Sequence, residues 1–290
     1  LHFVIKFTYT LCGTSHRVVS LDGIVLMARI LSLSDYCTLS RPRLQWLVWK
    51  LIPRPGVVMV LGARKSGKTT LALQISVAVA SGQDFMGQKS EAGRVLYLQI
   101  DPGEMAWRER LSAVTEAGLV FPPNLLAIHP DDVPLPLNIL LPDGRTWLKE
   151  VVKEANPALI VVDVFRELHT ADENDSTAMK AVGDALLRTF QGRAVLLLHH
   201  TRKIGADSQD PDPGNSSRGS SYLPGRVDAF WLLYRNKLKI VNRLDEDRSI
   251  ELARGDAGLW AFPQLEALRE VVERVLGLCA ERPDLPHTKL

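Results

Sequence analysis

Eight consecutive residues, Gly62, Ala63, Arg64, Lys65, Ser66, Gly67, Lys68 and Thr69, have the types and spacing of a G-x-x-x-x-G-K-[ST] loop. Glycines at the turns let the backbone curl until successive N–H groups point at one anion. The Lys68 ammonium can reach the β- and γ-phosphates of a nucleoside triphosphate, and the Thr69 hydroxyl can ligate Mg²⁺. Thr70 continues into a helix whose positive end faces the same anion. An all-apolar run at 57–61 precedes the loop and a helical pattern at 69–80 follows it, which is the context the motif needs. Phosphate binding by residues 62–70 is therefore the first chemistry expected of this chain.

A second element follows about ninety-five residues downstream, where Ala158-Leu159-Ile160-Val161-Val162 ends at Asp163. A carboxylate at the open end of a buried strand beside the phosphate loop can hold magnesium through its waters. The segment Asn236-Lys237-Leu238-Lys239 lacks the aspartate of an N-K-x-D element that reads guanine. ATP is thus the expected nucleotide, with Mg²⁺ as its ion.

These groups need buried strands feeding into helices. From Met27 on, apolar runs alternate with amphipathic stretches, the pattern of an α/β protein with a mainly parallel sheet. Strands are expected at 57–61, 94–100, 125–128, 158–162 and 194–198, the last running into His199 and His200. Helices are expected at 69–80, ended by Gly82, and at 104–117, closed by Gly118. Two more are expected at 146–154, stopped by Pro157, and at 176–190, capped by Ser176. Segments 229–234, 238–241 and 249–253 read as antiparallel strands added to one edge, followed by a helix over 265–278. Residues 204–217, rich in Gly, Asp, Pro and Ser, are expected to form a mobile loop.

Composition excludes some classes of partner. With 46% apolar and 23% charged residues, the 290-residue chain can bury the core of one large α/β domain. A net charge of +2 provides no global basic field, so any nucleic-acid contact must come from a local patch or a ring of subunits. Cys12, Cys37 and Cys279 lie far apart and form neither a metal-spaced pair nor a disulfide framework. The longest apolar stretch, 71–80, is about half what a bilayer requires, so no membrane span is expected. Residues 1–26, ahead of the first methionine Met27, show no period or cleavage site and are expected to be a disordered or non-native extension. A lead-in segment at 27–56, the α/β domain at 57–263 and a C-terminal helix and tail at 264–290 complete the expected organisation.

The phosphate loop, Leu96-Tyr97-Leu98-Gln99-Ile100-Asp101, the Asp163 strand, Leu197-Leu198-His199-His200-Thr201-Arg202-Lys203 and Arg218-Gly219-Ser220-Ser221 occur in that order. In these stretches the chain resembles the RepA-type branch of RecA-like ATPases, which includes plasmid and phage hexameric replicative helicases, over roughly 46–263. The resemblance implies a RecA-like P-loop NTPase core: a mainly parallel sheet, helices on both faces and antiparallel C-terminal edge strands. It also implies that a strand-end carboxylate orients the attacking water. The matching residue is Asp101, one methylene shorter than the family's usual glutamate, with Glu104 as a substitute one turn on. A polar residue at the position of His199 or His200 contacts the γ-phosphate in this family. His200 is favoured, but the sequence leaves both open, and adjacent strand residues face opposite ways, so the two cannot easily share a metal ion.

Arg218 matches the family's arginine finger, which enters a neighbouring subunit's site and implies a homo-oligomer such as a hexameric ring. The 204–217 loop stands where such motors contact a nucleic-acid strand. It is acidic at Asp207, Asp210 and Asp212, whereas its flanks, Arg202, Lys203 and Arg218, are basic. Lys237, Lys239 and Arg243 alternate near Tyr234, a stripe that fits phosphate tracking along single-stranded DNA and equally fits a solvated strand face. The leading expectation is an ATP-driven oligomeric DNA helicase or translocase in replication of a phage, plasmid or similar element, in the cytoplasm of a bacterial, archaeal or virus-infected cell. A RecA-like ATPase that does not unwind is the alternative. A small-molecule kinase is the third reading, and it leaves the Arg218 segment unexplained.

Overall fold

The computed structural model describes residues 8–11, 14–21, 24–29, 31–39, 44–100, 103–128, 132–134, 136–201, 211, 226–264, 267 and 274. The chain divides into two compact units, Leu1–Leu44 and Gln45–Leu290. In the first, β1 (Thr8–Leu11), β2 (Thr14–Leu21) and β3 (Ile24–Arg29) form an antiparallel meander. These strands fall largely inside the stretch expected above to be a disordered or non-native extension. A short helix, α1 (Leu33–Thr38), follows, with Ser32 accepting the Asp35 N–H at 3.0 Å as its cap.

The second unit opens with a hairpin, β4 (Gln45–Val48) and β5 (Ile52–Arg54), and then enters the central sheet at β6 (Gly56–Gly62). There follow α2 (Lys68–Ser81), β7 (Val95–Gln99), α3 (Glu104–Glu116), β8 (Leu125–Ala127), α4 (Pro142–Ala155), β9 (Leu159–Asp163), α5 (Ser176–Thr189) and β10 (Ala194–His200). The chain ends its described course through β11 (Ala229–Tyr234), β12 (Lys237–Asn242), β13 (Arg248–Glu251), β14 (Ala253–Arg254) and β15 (Trp260–Ala261). The eight-stranded sheet has the order β13-β12-β11-β6-β10-β9-β7-β8. From β11 to β8 every neighbouring pair is parallel, and β12 and β13 add antiparallel strands at one edge. This is a mainly parallel RecA-like P-loop NTPase fold.

Parallel strands covered on both faces must be apolar along their buried length, as β6 is, β9 up to Asp163 and β10 up to His199. Their alternation splits the core in two. Val58, Val60, Val161, Leu196 and Leu198 pack with Leu71, Ile75 and Val79 of α2. Met59, Leu61, Ile160, Val162 and Leu197 pack with Leu148 and Val152 of α4 and with Met179, Val182 and Leu186 of α5. Because α2 is buried around most of its circumference, it lacks the single apolar stripe of a surface helix.

Three local expectations are corrected. Segment 229–234 reads as antiparallel in the sequence, but β11 lies parallel to β6 and only β12 and β13 reverse. The side chain of Asp228 holds this junction, accepting the Val57 N–H at 2.8 Å while its own N–H donates to the Val57 carbonyl. Asp175, not Ser176, caps α5, its carboxylate accepting the N–H groups of Thr177 and Ala178. The α4 helix begins four residues earlier than expected, at Pro142, whose missing N–H costs nothing in the first turn. The expected loop at 204–217 and helix at 265–278 lie largely outside the described residues. Among the described residues no helix is long and apolar enough to cross a membrane.

Candidate functional site

The parallel strands deliver their C-terminal ends to one edge of the sheet, where open α/β folds bind ligands. Gly62 ends β6 and Lys68 begins α2, so residues 63–67 form the connecting loop. Ser66 N–H closes a turn on the Ala63 carbonyl at 3.2 Å, and Gly67 takes φ +95°, a left-handed conformation that glycine alone adopts cheaply. A Cβ on Gly62 would lie 2.4 Å from the Ser66 hydroxyl oxygen, so side-chain volume is excluded there as well.

Lys68 is only 7% exposed, and its Nζ donates to the Gly62 and Ala63 carbonyls at 2.9 Å each. Burial pushes its ammonium down to about 8; the Asp163 charge opposes that shift and Arg64 adds to it. Asp163 ends β9 with 7% exposure and accepts the Tyr97 phenol at 2.9 Å. Burial raises its pKa, and hydrogen bonds from Thr69 and Tyr97 and the charges of Arg110 and Lys68 oppose that rise in part. The Tyr97 ring, itself buried, stacks on Trp107 of α3 with centroids 5.2 Å apart.

The two histidines separate as adjacent strand residues must. His200, paired in register with Gly62, brings Nδ1 to 3.3 Å from Lys68 Nζ. His199 turns to the other face, 1% exposed, edge-on to Phe165 and with Nδ1 3.9 Å from Glu173 Oε1. A cavity of 520 Å³ is lined by residues 64–70 together with Arg110, Asp163, Arg166, His200 and Arg254.

Other expected site residues stand elsewhere. Glu104 starts α3 in an ion pair with Arg108 at 2.6 Å and does not line the cavity. Lys237 and Lys239 share one face of β12, and Lys237 pairs with Glu251 at 3.6 Å. Asp101, Arg202, Lys203 and Arg218 lie outside the described residues.

Sequence reasoning missed Tyr97, Arg110, Arg254 and Trp260. Arg254 Nη2 donates to the Ser66 carbonyl at 2.6 Å, and Trp260 Nε1 donates to the Gly67 carbonyl at 3.1 Å. These contacts span 188 and 193 residues and leave no local pattern to read. Tyr97 left a faint signal, as a hydroxyl between Leu96 and Leu98 in the strand.

A parallel sheet carrying a phosphate loop after β6 and a buried aspartate at the end of β9 defines a RecA-like P-loop ATPase. The profile of the AAA domain family matches residues 26–206, and the chain belongs to that family, which implies nucleotide binding. No curated protein matches the sequence. Among solved structures, one described as an ATPase domain is similar at 15% identity with a TM-score of 0.52, covering 71% of this chain and 84% of that one. The KaiC-like protein PH0186 from the hyperthermophilic archaeon Pyrococcus horikoshii OT3 is 14% identical, with 74% and 93% coverage and a TM-score of 0.45.

Proposed function

We propose that this chain is an ATP-hydrolysing RecA-like motor of the RepA type, acting as a DNA helicase or translocase in replication of a phage, plasmid or similar element. The observation that carries the ATPase part is the convergence of Lys68, Thr69, Asp163 and His200 on one cavity. Two features fit that cavity to a triphosphate. The buried Ser66 hydroxyl has no hydrogen-bond partner among the described residues, and a Cβ on Gly62 would lie 2.4 Å from that hydroxyl oxygen.

In this reading residues 62–70 cradle the phosphates, and Lys68 exchanges its carbonyl partners for phosphate oxygens. Thr69 and Asp163 are the residues to hold Mg²⁺, which when bound neutralises phosphate charge. Asp101 orients the attacking water, His200 rather than His199 senses the γ-phosphate, and Arg218 acts on a neighbour's site in a hexameric ring. The motor part rests on the resemblance in the His199-His200 and Arg218-Gly219-Ser220-Ser221 stretches. Arg202, Lys203, Lys237 and Lys239 are the proposed contacts to single-stranded DNA, and the cytoplasm is the proposed location.

The Lys237–Glu251 pair and the net charge of +2 favour a second reading, an ATPase of the same fold that does not unwind. Steady-state ATP hydrolysis with and without single-stranded DNA, using Lys68→Ala as the blank, separates the two. Several-fold stimulation by DNA supports the motor, and hydrolysis indifferent to DNA supports the second reading. Turnover no higher than that of Lys68→Ala rejects both.

A further inference from the structure

The phosphate loop is stitched to a hairpin almost two hundred residues away. β14 and β15 pair with each other through Ala253 with Ala261 and Arg254 with Trp260. Arg254 Nη2 donates to the Ser66 carbonyl at 2.6 Å, Nη1 donates to the Gly258 carbonyl at 3.2 Å, and the guanidinium lies 3.8 Å above the Trp260 ring. The Trp260 indole donates to the Gly67 carbonyl at 3.1 Å. Its backbone exchanges two 2.9 Å bonds with the Gln74 amide on α2, the helix that follows the loop. A Cβ on Gly67 would come within 2.8 Å of both the Arg254 guanidinium and the Trp260 ring, so glycine is what admits the hairpin.

The Ser66 carbonyl and the Gly67 N–H belong to one trans peptide plane and point in opposite directions, as do the Gly67 carbonyl and the Lys68 N–H. Tying both carbonyls to the hairpin therefore turns both N–H groups away from their Arg254 and Trp260 partners. The Gly67 carbonyl is also held by the Leu71 N–H within the helix, which leaves Arg254 as the side-chain tether of the Ser66–Gly67 plane.

We propose that the β14–β15 hairpin is a clamp on the phosphate loop, with Arg254 and Trp260 as positioning residues that aim the Gly67 and Lys68 amides at phosphate. This rests on reading the cavity as a triphosphate site. It adds that the loop's active shape is imposed from the C-terminal end of the domain. The guanidinium does this through its planar fork and flat stacking, which an ammonium cannot reproduce.

The test is a binding titration of the full chain with a fluorescent ATP analogue and Mg²⁺, with inorganic tripolyphosphate as competitor. Arg254→Ala should weaken tripolyphosphate binding about tenfold, the loss of one hydrogen bond's control over the loop, and Trp260→Phe, which leaves the Leu71 N–H on the Gly67 carbonyl, should weaken it by a smaller factor. Melting temperatures should stay within about 3 °C of wild type. Arg254→Lys, which keeps the charge, should behave like Arg254→Ala. Wild-type affinity in Arg254→Lys would reduce Arg254 to a point charge and overturn the clamp. Weakened binding of the analogue with tripolyphosphate unaffected would also overturn it, making the hairpin a base or ribose contact. Failure of the wild-type protein to bind either ligand would instead overturn the phosphate-site reading, and the clamp's purpose with it.

Discussion

His169 lies just beyond Phe165, its ring 4.9 Å from the Phe165 centroid and only 3% of its surface exposed. Its Nε2 has no hydrogen-bond partner among the described residues, and Arg166 Nη1 stands 3.5 Å from Nδ1. Burial first, then the charges of Arg166 and His199, push its pKa down to about 4 from 6.5. The folded protein thus holds a neutral imidazole that the unfolded chain protonates more readily. The resulting stabilisation is complete above pH 6.5 and is lost as pH falls toward 4, a difference of about 3 kcal/mol. Urea midpoints at pH 7 and pH 4.5 should differ less in His169→Gln than in wild type. An equal drop in both proteins would place the acid sensitivity elsewhere.

At the scale of elements, the register of β7 on β9 decides how the strand-end carboxylate is held. Tyr97 pairs with Val161 and Gln99 with Asp163, so Tyr97 shares a sheet face with Asp163 and can reach it. Trp107 then packs α3 against the phenol from outside. Under the proposed function Tyr97→Phe removes a hydrogen bond to a charged group worth about 1.5–3 kcal/mol. The Mg²⁺ concentration for half-maximal hydrolysis should rise about tenfold while turnover at saturating Mg²⁺ stays near wild type. An unchanged Mg²⁺ requirement would show that the phenol only fills space. The phosphate-loop motif that opens into 69–80 and the glycine at 82 suffice to predict α2, which ends where Gly82 turns left-handed at φ +68°. The cap of α5 was legible only to within one residue, because Asp175 and Ser176 are both good caps and backbone geometry chooses between them.

At the scale of the whole molecule, the question is whether one chain completes its own site. Arg64, Arg110, Arg166 and Arg254 all line the cavity from the same chain, so positive charge is already present without a neighbour. The proposed finger at Arg218 must then act by geometry during hydrolysis rather than by holding nucleotide. Lys68→Ala and Arg218→Ala should each be inactive alone, with nucleotide affinity lost only in the first. Mixing the two should restore part of the activity, because some interfaces then join an intact loop to an intact finger. Mixtures no more active than either variant would assign the ring or the finger incorrectly.

Local pattern was enough for the phosphate loop, the α/β class and the strand that ends at Asp163, because each depends on residues close in sequence and on side-chain periodicity. It also sufficed to separate His199 from His200 in direction, though not to say which one faces the loop. That choice came from the pairing of His200 with Gly62, a long-range register that carries its neighbour to the Phe165 side. The parallel course of β11 was likewise settled by Asp228 and Val57, residues 171 positions apart. The hold of Arg254 and Trp260 on the Ser66 and Gly67 carbonyls belongs wholly to the tertiary structure. A bond to a backbone carbonyl asks nothing of the partner's side chain, so no motif at either end records it.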